Sequence, residues 1–102
     1  MMFALSVLVV LLSATAAHSQ ALTCWFTERG FPPVRIVLDP RAGTALMGTN
    51  PAPWRLDVSE THYRMSNGQG GGVVIRRQNG LGALVAPQAG PLYMRCEPER
   101  RL

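Results

Sequence analysis

Cys24 and Cys96 are the only cysteines in this chain of 102 residues, and they stand near the two ends of the part that follows an apolar leader. An even number of cysteines in so small an exported domain favours a disulfide. Their bond closes a loop of about 72 residues, which the chain-entropy treatment values at roughly 4 kcal/mol. Metal binding is the alternative, but no Cys-x-x-Cys or His-Cys pattern accompanies either residue. We therefore predict a Cys24–Cys96 disulfide that brings the two ends of the domain together.

The leader has the pattern of a secretory signal peptide. An apolar run, Met2–Leu12, is followed by small residues at positions 13–17. A helix of this length rises only about 16 Å, roughly half of a bilayer core, so a membrane-spanning helix is disfavoured. The pattern predicts export to the periplasm or the medium, with no stable membrane insertion after the signal is removed. A retained N-terminal anchor is the alternative.

The small residues offer three cleavage points, which follow Ala16, Ser19 and Ala21. The last of these has the small-x-small form and leaves Leu22 as the first residue. We predict a signal peptide over residues 1–21 and one small exported β domain over residues 22–102. The charged residues 97–102 are expected to form a frayed tail.

Short extended segments, separated by turn signals about every ten residues, fill this domain. Val34–Leu38 alternates, with Val34, Ile36 and Leu38 on one face, and Trp54–Val58 alternates in the same way. Residues 66–72 read as a flexible loop, and Asn79-Gly80 is a strong hairpin signal. The predicted strands are Leu22–Glu28, Val34–Leu38, Thr44–Met47, Trp54–Val58, Thr61–Met65, Val73–Arg77, Leu81–Ala86 and Leu92–Cys96.

These segments predict an all-β fold, a small antiparallel β-barrel or sandwich of six to eight short strands closed by one disulfide. The two cysteines lie on the first and last segments, so these must be neighbours if the cysteines bond. A closed barrel places the first strand beside the last. The disulfide and barrel predictions therefore support each other.

All ten basic residues are arginine, and the formal net charge is +4. One interpretation is a codon-usage bias towards arginine, because the arginines are spread along the chain. The other is a surface for phosphate, carboxylate or anionic glycan, since a planar guanidinium binds such groups better than an ammonium.

Catalytic patterns are weak in this sequence. His62 is the only histidine after the leader, and Ser59 lies three positions away, on the opposite face of an extended segment. Asp57 and Glu60 are also three positions apart and so face opposite sides of an extended segment, which does not give the paired carboxylates of a glycosidase. The glycine tract at 68–72 is followed by a β-branched strand and lacks the lysine of a phosphate-binding loop. We predict a non-enzymatic protein with no catalytic, cofactor-binding or metal-ligating residues.

Aromatic side chains and interleaved arginines raise the alternative of an oligonucleotide-binding barrel. An exported protein rarely meets nucleic acid, and most of the aromatic residues fall on the faces assigned to the interior. We predict no nucleic-acid partner. The aromatic residues in question are Trp25, Phe26, Trp54, Tyr63 and Tyr93.

The layout of residues 22–96 resembles the membrane-bound (C-type) lysozyme inhibitors, which are small periplasmic antiparallel β-barrels. The resemblance rests on Ser59-x-x-x-Tyr63, a glycine-bearing hairpin, the strand Val73–Arg77 and a closing strand that ends at Cys96. In that family a Ser/Gly-rich strand and a later lysine engage the lysozyme active site. Here residues 60–62 replace the small residues, there is no lysine, and the body is basic like its expected partner.

These observations favour a binding or accessory module of the cell envelope. Its partner is expected to be an envelope protein or an anionic glycan, with no cofactor. The alternative is an inhibitor of a lysozyme or another cell-wall hydrolase. The candidate binding surface consists of Ser59, Tyr63, Arg64 and Arg76.

Overall fold

The computed structural model describes residues 19–99, and within that range the chain forms eight β-strands. The first predicted segment, Leu22–Glu28, begins and ends two residues too late, and the last, Leu92–Cys96, lacks three residues at its start and two at its end; the other six segments agree to within a residue. The predicted signal peptide lies outside the described residues up to position 18. The strands are β1 (Gln20–Phe26), β2 (Val34–Asp39), β3 (Thr44–Met47), β4 (Trp54–Val58), β5 (His62–Ser66), β6 (Gly72–Arg76), β7 (Leu81–Ala86) and β8 (Ala89–Pro98).

The strands form one closed antiparallel barrel in which each strand pairs with the next along the chain. The ring closes where β8 pairs with β1, and Cys24 lies directly opposite Cys96 in that register. Their sulfurs are 2.05 Å apart and form a disulfide. Both cysteines are buried in the core. The predicted all-β fold, the disulfide and the first-beside-last arrangement are confirmed, and the barrel is the form adopted.

The core consists of the inward-facing residues of alternate strand positions. Ile36 and Leu38 are fully buried, as the alternation of β2 predicts, and Leu56 of β4 is buried as well. The alternation of Trp54–Val58 puts Val58 on the same face as Leu56 and so predicts it inward, but it is 43% exposed, because it ends β4 beyond the packed layers. The buried residues are Leu22, Cys24, Ile36, Leu38, Ala45, Leu56, Met65, Val73, Ile75, Met94 and Cys96.

The aromatic residues divide between the two surfaces of the barrel. Phe26, Trp54 and Tyr63 pack against the core, as predicted. Trp25 and Tyr93 do not: they are 39% and 60% exposed. Each neighbours an inward-facing residue in its strand and therefore points to the opposite side of the sheet. The guanidinium of Arg95 lies 5.9 Å from the ring centroid of Trp25 and covers part of it.

Side chains organise the turns that the sequence marked. The Asp39 carboxylate accepts a hydrogen bond from the Ala42 amide at 3.3 Å. In the glycine-rich loop, the side-chain oxygen of Asn67 accepts hydrogen bonds from the amides of Gln69 (2.8 Å) and Gly71 (3.0 Å). This loop, predicted to be flexible, is thus built around one asparagine.

One seam of the barrel is thinner than the others. β3 and β4 share only two paired positions, Thr44 with Arg55 and Ala45 with Trp54. One further hydrogen bond, from the Leu56 amide to the Gly43 carbonyl, extends this seam (2.8 Å). By contrast, β1 and β8 share five paired positions in addition to the disulfide.

The C-terminal segment is more ordered than predicted up to residue 99. Glu97 and Pro98 belong to β8, and the Glu99 amide donates to the carbonyl of Ala21 at 2.9 Å. The Glu99 carboxylate accepts two hydrogen bonds from Arg35, at 2.7 and 3.2 Å. The expectation of fraying from residue 97 fails because β1 and β2 both hold this segment. Residues 100–102 lie outside the described range.

The disulfide indicates an oxidising compartment, since such bonds persist where thiols are not kept reduced. Within residues 19–99 we find no helix with the length and apolar character of a membrane span.

Replacing both cysteines (Cys24→Ala with Cys96→Ala) is expected to lower the free energy of unfolding by about 4 kcal/mol, because the unfolded chain regains the freedom of a long loop. Urea denaturation followed by tryptophan fluorescence measures the loss. The control is the wild-type protein with a reductant, which removes the bond and keeps both side chains. A loss below about 1 kcal/mol in both cases would contradict a structural role for the bond.

Glu99→Gln is expected to remove a pH dependence of stability. The hydrogen bonds from Arg35 hold the pKa of Glu99 below its ordinary value, so this contribution is present at neutral pH and is lost as the pH falls below about 4. Thermal unfolding between neutral and acidic pH should show a steeper acid loss in the wild type than in the variant. Arg35→Gln breaks the same contact from the other side and should flatten the profile equally.

Candidate functional site

A cleft of about 950 Å³ opens at one end of the barrel. Three parts of the chain form it: the start of β1, the turn between β4 and β5 with the start of β5, and the end of β6 with the turn that follows. We call it the barrel-end cleft. It is lined by Gln20, Glu60, Thr61, His62, Tyr63, Arg76, Arg77 and Gln78.

The turn between β4 and β5 is held by the hydroxyl of Ser59. This oxygen accepts hydrogen bonds from the amides of Thr61 (3.4 Å) and His62 (3.1 Å), and the Ser59 amide donates to the His62 carbonyl (3.0 Å). A hydroxyl that bonds the backbone two or three residues ahead is a common way to fix a tight turn. Ser59 therefore shapes one wall of the cleft.

Arg77 connects this turn to the opposite wall. Its guanidinium donates to the Ser59 carbonyl at 2.7 Å and lies 5.0 Å from the ring centroid of Tyr63. Its amide donates to the Thr61 carbonyl at 2.9 Å. A guanidinium over an aromatic face is attracted by the ring quadrupole. The arginine is thus fixed in place with its charge at the mouth of the barrel.

Tyr63 connects Gln20 of β1 with Arg77 at the inner side of the cleft. It packs against the core, and its hydroxyl donates to the side-chain oxygen of Gln20 at 3.3 Å. A second cavity of about 300 Å³ begins beside these two residues and continues inward along Leu22 and Ile75 to Cys96. The barrel end is therefore polar at its rim and apolar where it reaches the core.

Arg76 and His62 are cross-strand partners on the outer side of the same rim. Thr61 Oγ1 lies 2.8 Å from His62 Nδ1, which orients the ring. Arg76 is exposed, and among residues 19–99 it takes part in no ion pair, whereas Arg35, Arg55 and Arg95 each face a carboxylate. Its guanidinium is available to a ligand.

The lining carries more positive than negative charge. Arg76 and Arg77 contribute two cations and Glu60 one carboxylate, while Gln20 and Gln78 add amide groups. Amides, hydroxyls and guanidinium groups bind carboxylate, sulfate and sugar hydroxyl oxygens. The cleft is therefore chemically suited to an anionic, hydroxyl-rich ligand.

The structure brings together three of the four residues predicted for the binding surface. Tyr63 and Arg76 both line the cleft, and Ser59 joins them through its contact with Arg77. Arg64 lies on the same outer face as His62 and Arg76, between Asp57 and Val74 in the register, but two residues further from the mouth of the barrel than His62. It does not line the barrel-end cleft.

Gln20 and Arg77 are two of the six lining residues that the predicted surface did not include. Both continue an inward-facing series to the mouth of the barrel, Gln20 that of Leu22 and Cys24, and Arg77 that of Val73 and Ile75. A polar residue at an inward position at a strand end is a signal for a barrel mouth. The signal was lost because Gln20 was assigned to the leader and Arg77 was treated as an ordinary strand residue.

The candidate catalytic groups do not meet as a reactive set. The Ser59 hydroxyl bonds the backbone of His62, while the imidazole bonds Thr61. Asp57 lies 3.6 Å from Arg55 on the outer face. Across residues 19–99 there is no group of three or more His, Cys, Asp or Glu side chains placed to hold a metal ion.

Comparison of the chain with protein-family models, with curated proteins and with solved structures gives no match. The resemblance to lysozyme inhibitors therefore stays a prediction. The chemistry of the barrel-end cleft is the basis for assigning a function.

Proposed function

We propose that this chain is an exported, non-enzymatic binding module of the cell envelope, and that it binds an anionic glycan in the barrel-end cleft. The observation that carries the proposal is the pairing of a fixed arginine with an available one at the mouth of the barrel. Arg77 is held between Ser59 and Tyr63, and Arg76 lines the same cleft from the outer side of the rim, without an ion pair in the described residues.

Two guanidinium groups that line one cleft suit a repeating anionic polymer. Each offers a planar set of N–H donors that matches the two oxygens of a carboxylate or sulfate. The surrounding amides and hydroxyls can bind sugar hydroxyl groups, and a cleft of about 950 Å³ has room for a short oligosaccharide. The walls are already fixed by backbone hydrogen bonds, which lowers the ordering cost of binding.

Export is supported by two independent features. The Cys24–Cys96 disulfide is typical of an oxidising compartment. The apolar run Met2–Leu12 with its small-residue tract is typical of a cleaved signal. Glycans with carboxylate or sulfate groups are abundant in such compartments, so ligand and location agree.

Arg76→Ala is expected to weaken binding of oligogalacturonate, a carboxylated glycan, by about tenfold, because one charge-assisted hydrogen bond contributes roughly 1.5–3 kcal/mol. Isothermal titration calorimetry at about 0.15 M salt, where charges outside the site are screened, measures the affinity, and neutral maltoheptaose should not bind. The matched control is Arg64→Ala, which removes the same charge outside the cleft and should weaken binding clearly less than Arg76→Ala does. Equal losses in the two variants would show attraction to net charge alone and overturn the cleft as the site.

Inhibition of a cell-wall hydrolase is the second candidate function. It is favoured by the closed barrel with its disulfide and by the hydrogen-bonded turn at Ser59, which lies beside the cleft. A fixed turn can enter the substrate groove of an enzyme with little ordering cost. Turnover assays with lysozymes of several classes, with and without an equimolar amount of the protein, test it. Unchanged turnover in every class removes this candidate.

A further inference from the structure

The first two residues of β1 belong to the folded barrel. Gln20 pairs with Leu38 and Ala21 with Val37, which makes two of the five paired positions between β1 and β2. The Ala21 carbonyl also accepts a hydrogen bond from the Glu99 amide at 2.9 Å. A chain that began at Leu22 would lack all of these contacts, although Leu22 is where the small-x-small form of Ser19-Gln20-Ala21 places the cut.

Gln20 also belongs to the barrel-end cleft. Its side chain lines both cavities at this end of the barrel. Its amide oxygen accepts the hydrogen bond from the Tyr63 hydroxyl (3.3 Å). Loss of Gln20 would leave that hydroxyl without this partner and would widen the mouth of the barrel.

A different pair of small residues places the cut just before the strand. Ala17 and Ser19 stand three and one positions before the Ser19–Gln20 bond, as signal peptidases require. We propose that a signal peptidase hydrolyses the Ser19–Gln20 bond: the oxygen of water bonds to the carbonyl carbon of Ser19, the C–N bond to Gln20 breaks, and the products are the Ser19 carboxylate and the free amino group of Gln20. This rests on the proposed export of the chain. The mature protein then keeps the whole of β1 and the whole of the cleft.

Two substitutions in the full-length precursor distinguish the two sites. Ala17→Gln puts a large residue three positions before the Ser19–Gln20 bond but leaves Ser19 and Ala21 intact for the later site. Ala21→Gln blocks the later site, and leaves Ala17 and Ser19 unchanged. We expect Ala17→Gln to abolish the mature chain that begins with Gln20, leaving precursor or a chain cut at another site, and Ala21→Gln to leave that mature chain unchanged, because only the first alters the recognised pair.

Intact mass and N-terminal sequencing of the protein from an exported fraction give the readout. A wild-type chain that begins with Gln20, open or cyclised, supports the proposal, and one that begins with Leu22 or Ala17 overturns it. The reverse response of the two variants also overturns it, whatever their folding, because cleavage is read directly. Full-length protein found only in the cytoplasm would instead overturn the proposed export. Glycan affinity is measured in a separate experiment, so the proposed function can be contradicted without affecting the assignment of the cleavage site.

Discussion

The bond between Cys24 and Cys96 joins the first strand of the barrel to the last, and the ring of strands depends on that junction. A domain of this size buries little apolar surface relative to the entropy it must overcome. The two sulfurs lie within the core, directly across the β1–β8 seam, so the bond fixes register and closure together. The remaining strands then pair in chain order, and the small buried core takes residues from seven of the eight strands, with the partly buried Leu84 of β7 packed against it.

Local rules were enough to predict most of the barrel from the sequence. Two kinds of signal act over only a few residues and can be recognised without knowing the fold. They are the alternation of Ile36 and Leu38 and the turn residues Asp39 and Asn79. The exposed side of Trp25 could not be predicted as easily, because aromatic residues are usually buried and only the parity set by Cys24 places it outside. The ordering of Glu99 depends on Arg35, 64 positions away, and no local pattern shows such a contact.

The candidate site was predicted in part for the same reason. Tyr63 was chosen from the Ser59-x-x-x-Tyr63 pattern and Arg76 from the strand Val73–Arg77, and both line the cleft. Arg64 lies on the same outer face as Arg76 but further from the mouth of the barrel, and only the folded register shows that difference. Gln20 and Arg77 come together only when the barrel closes. The site is therefore a product of closure: residues from β1, β5 and β6 meet at one rim, and each of them contributes little alone.

The thin seam between β3 and β4 has a consequence for how this barrel loosens. The covalent junction keeps β1 and β8 together, so thermal opening should start where two paired positions and one added hydrogen bond hold the wall. The barrel would then open between β3 and β4 while β1 and β8 stay joined, and the opening would expose the unpaired edges of β3 and β4. Such edges recruit strands from other copies. Concentrated or heated samples are therefore at risk of edge-to-edge association through β3 and β4, while the disulfide keeps the β1–β8 seam closed.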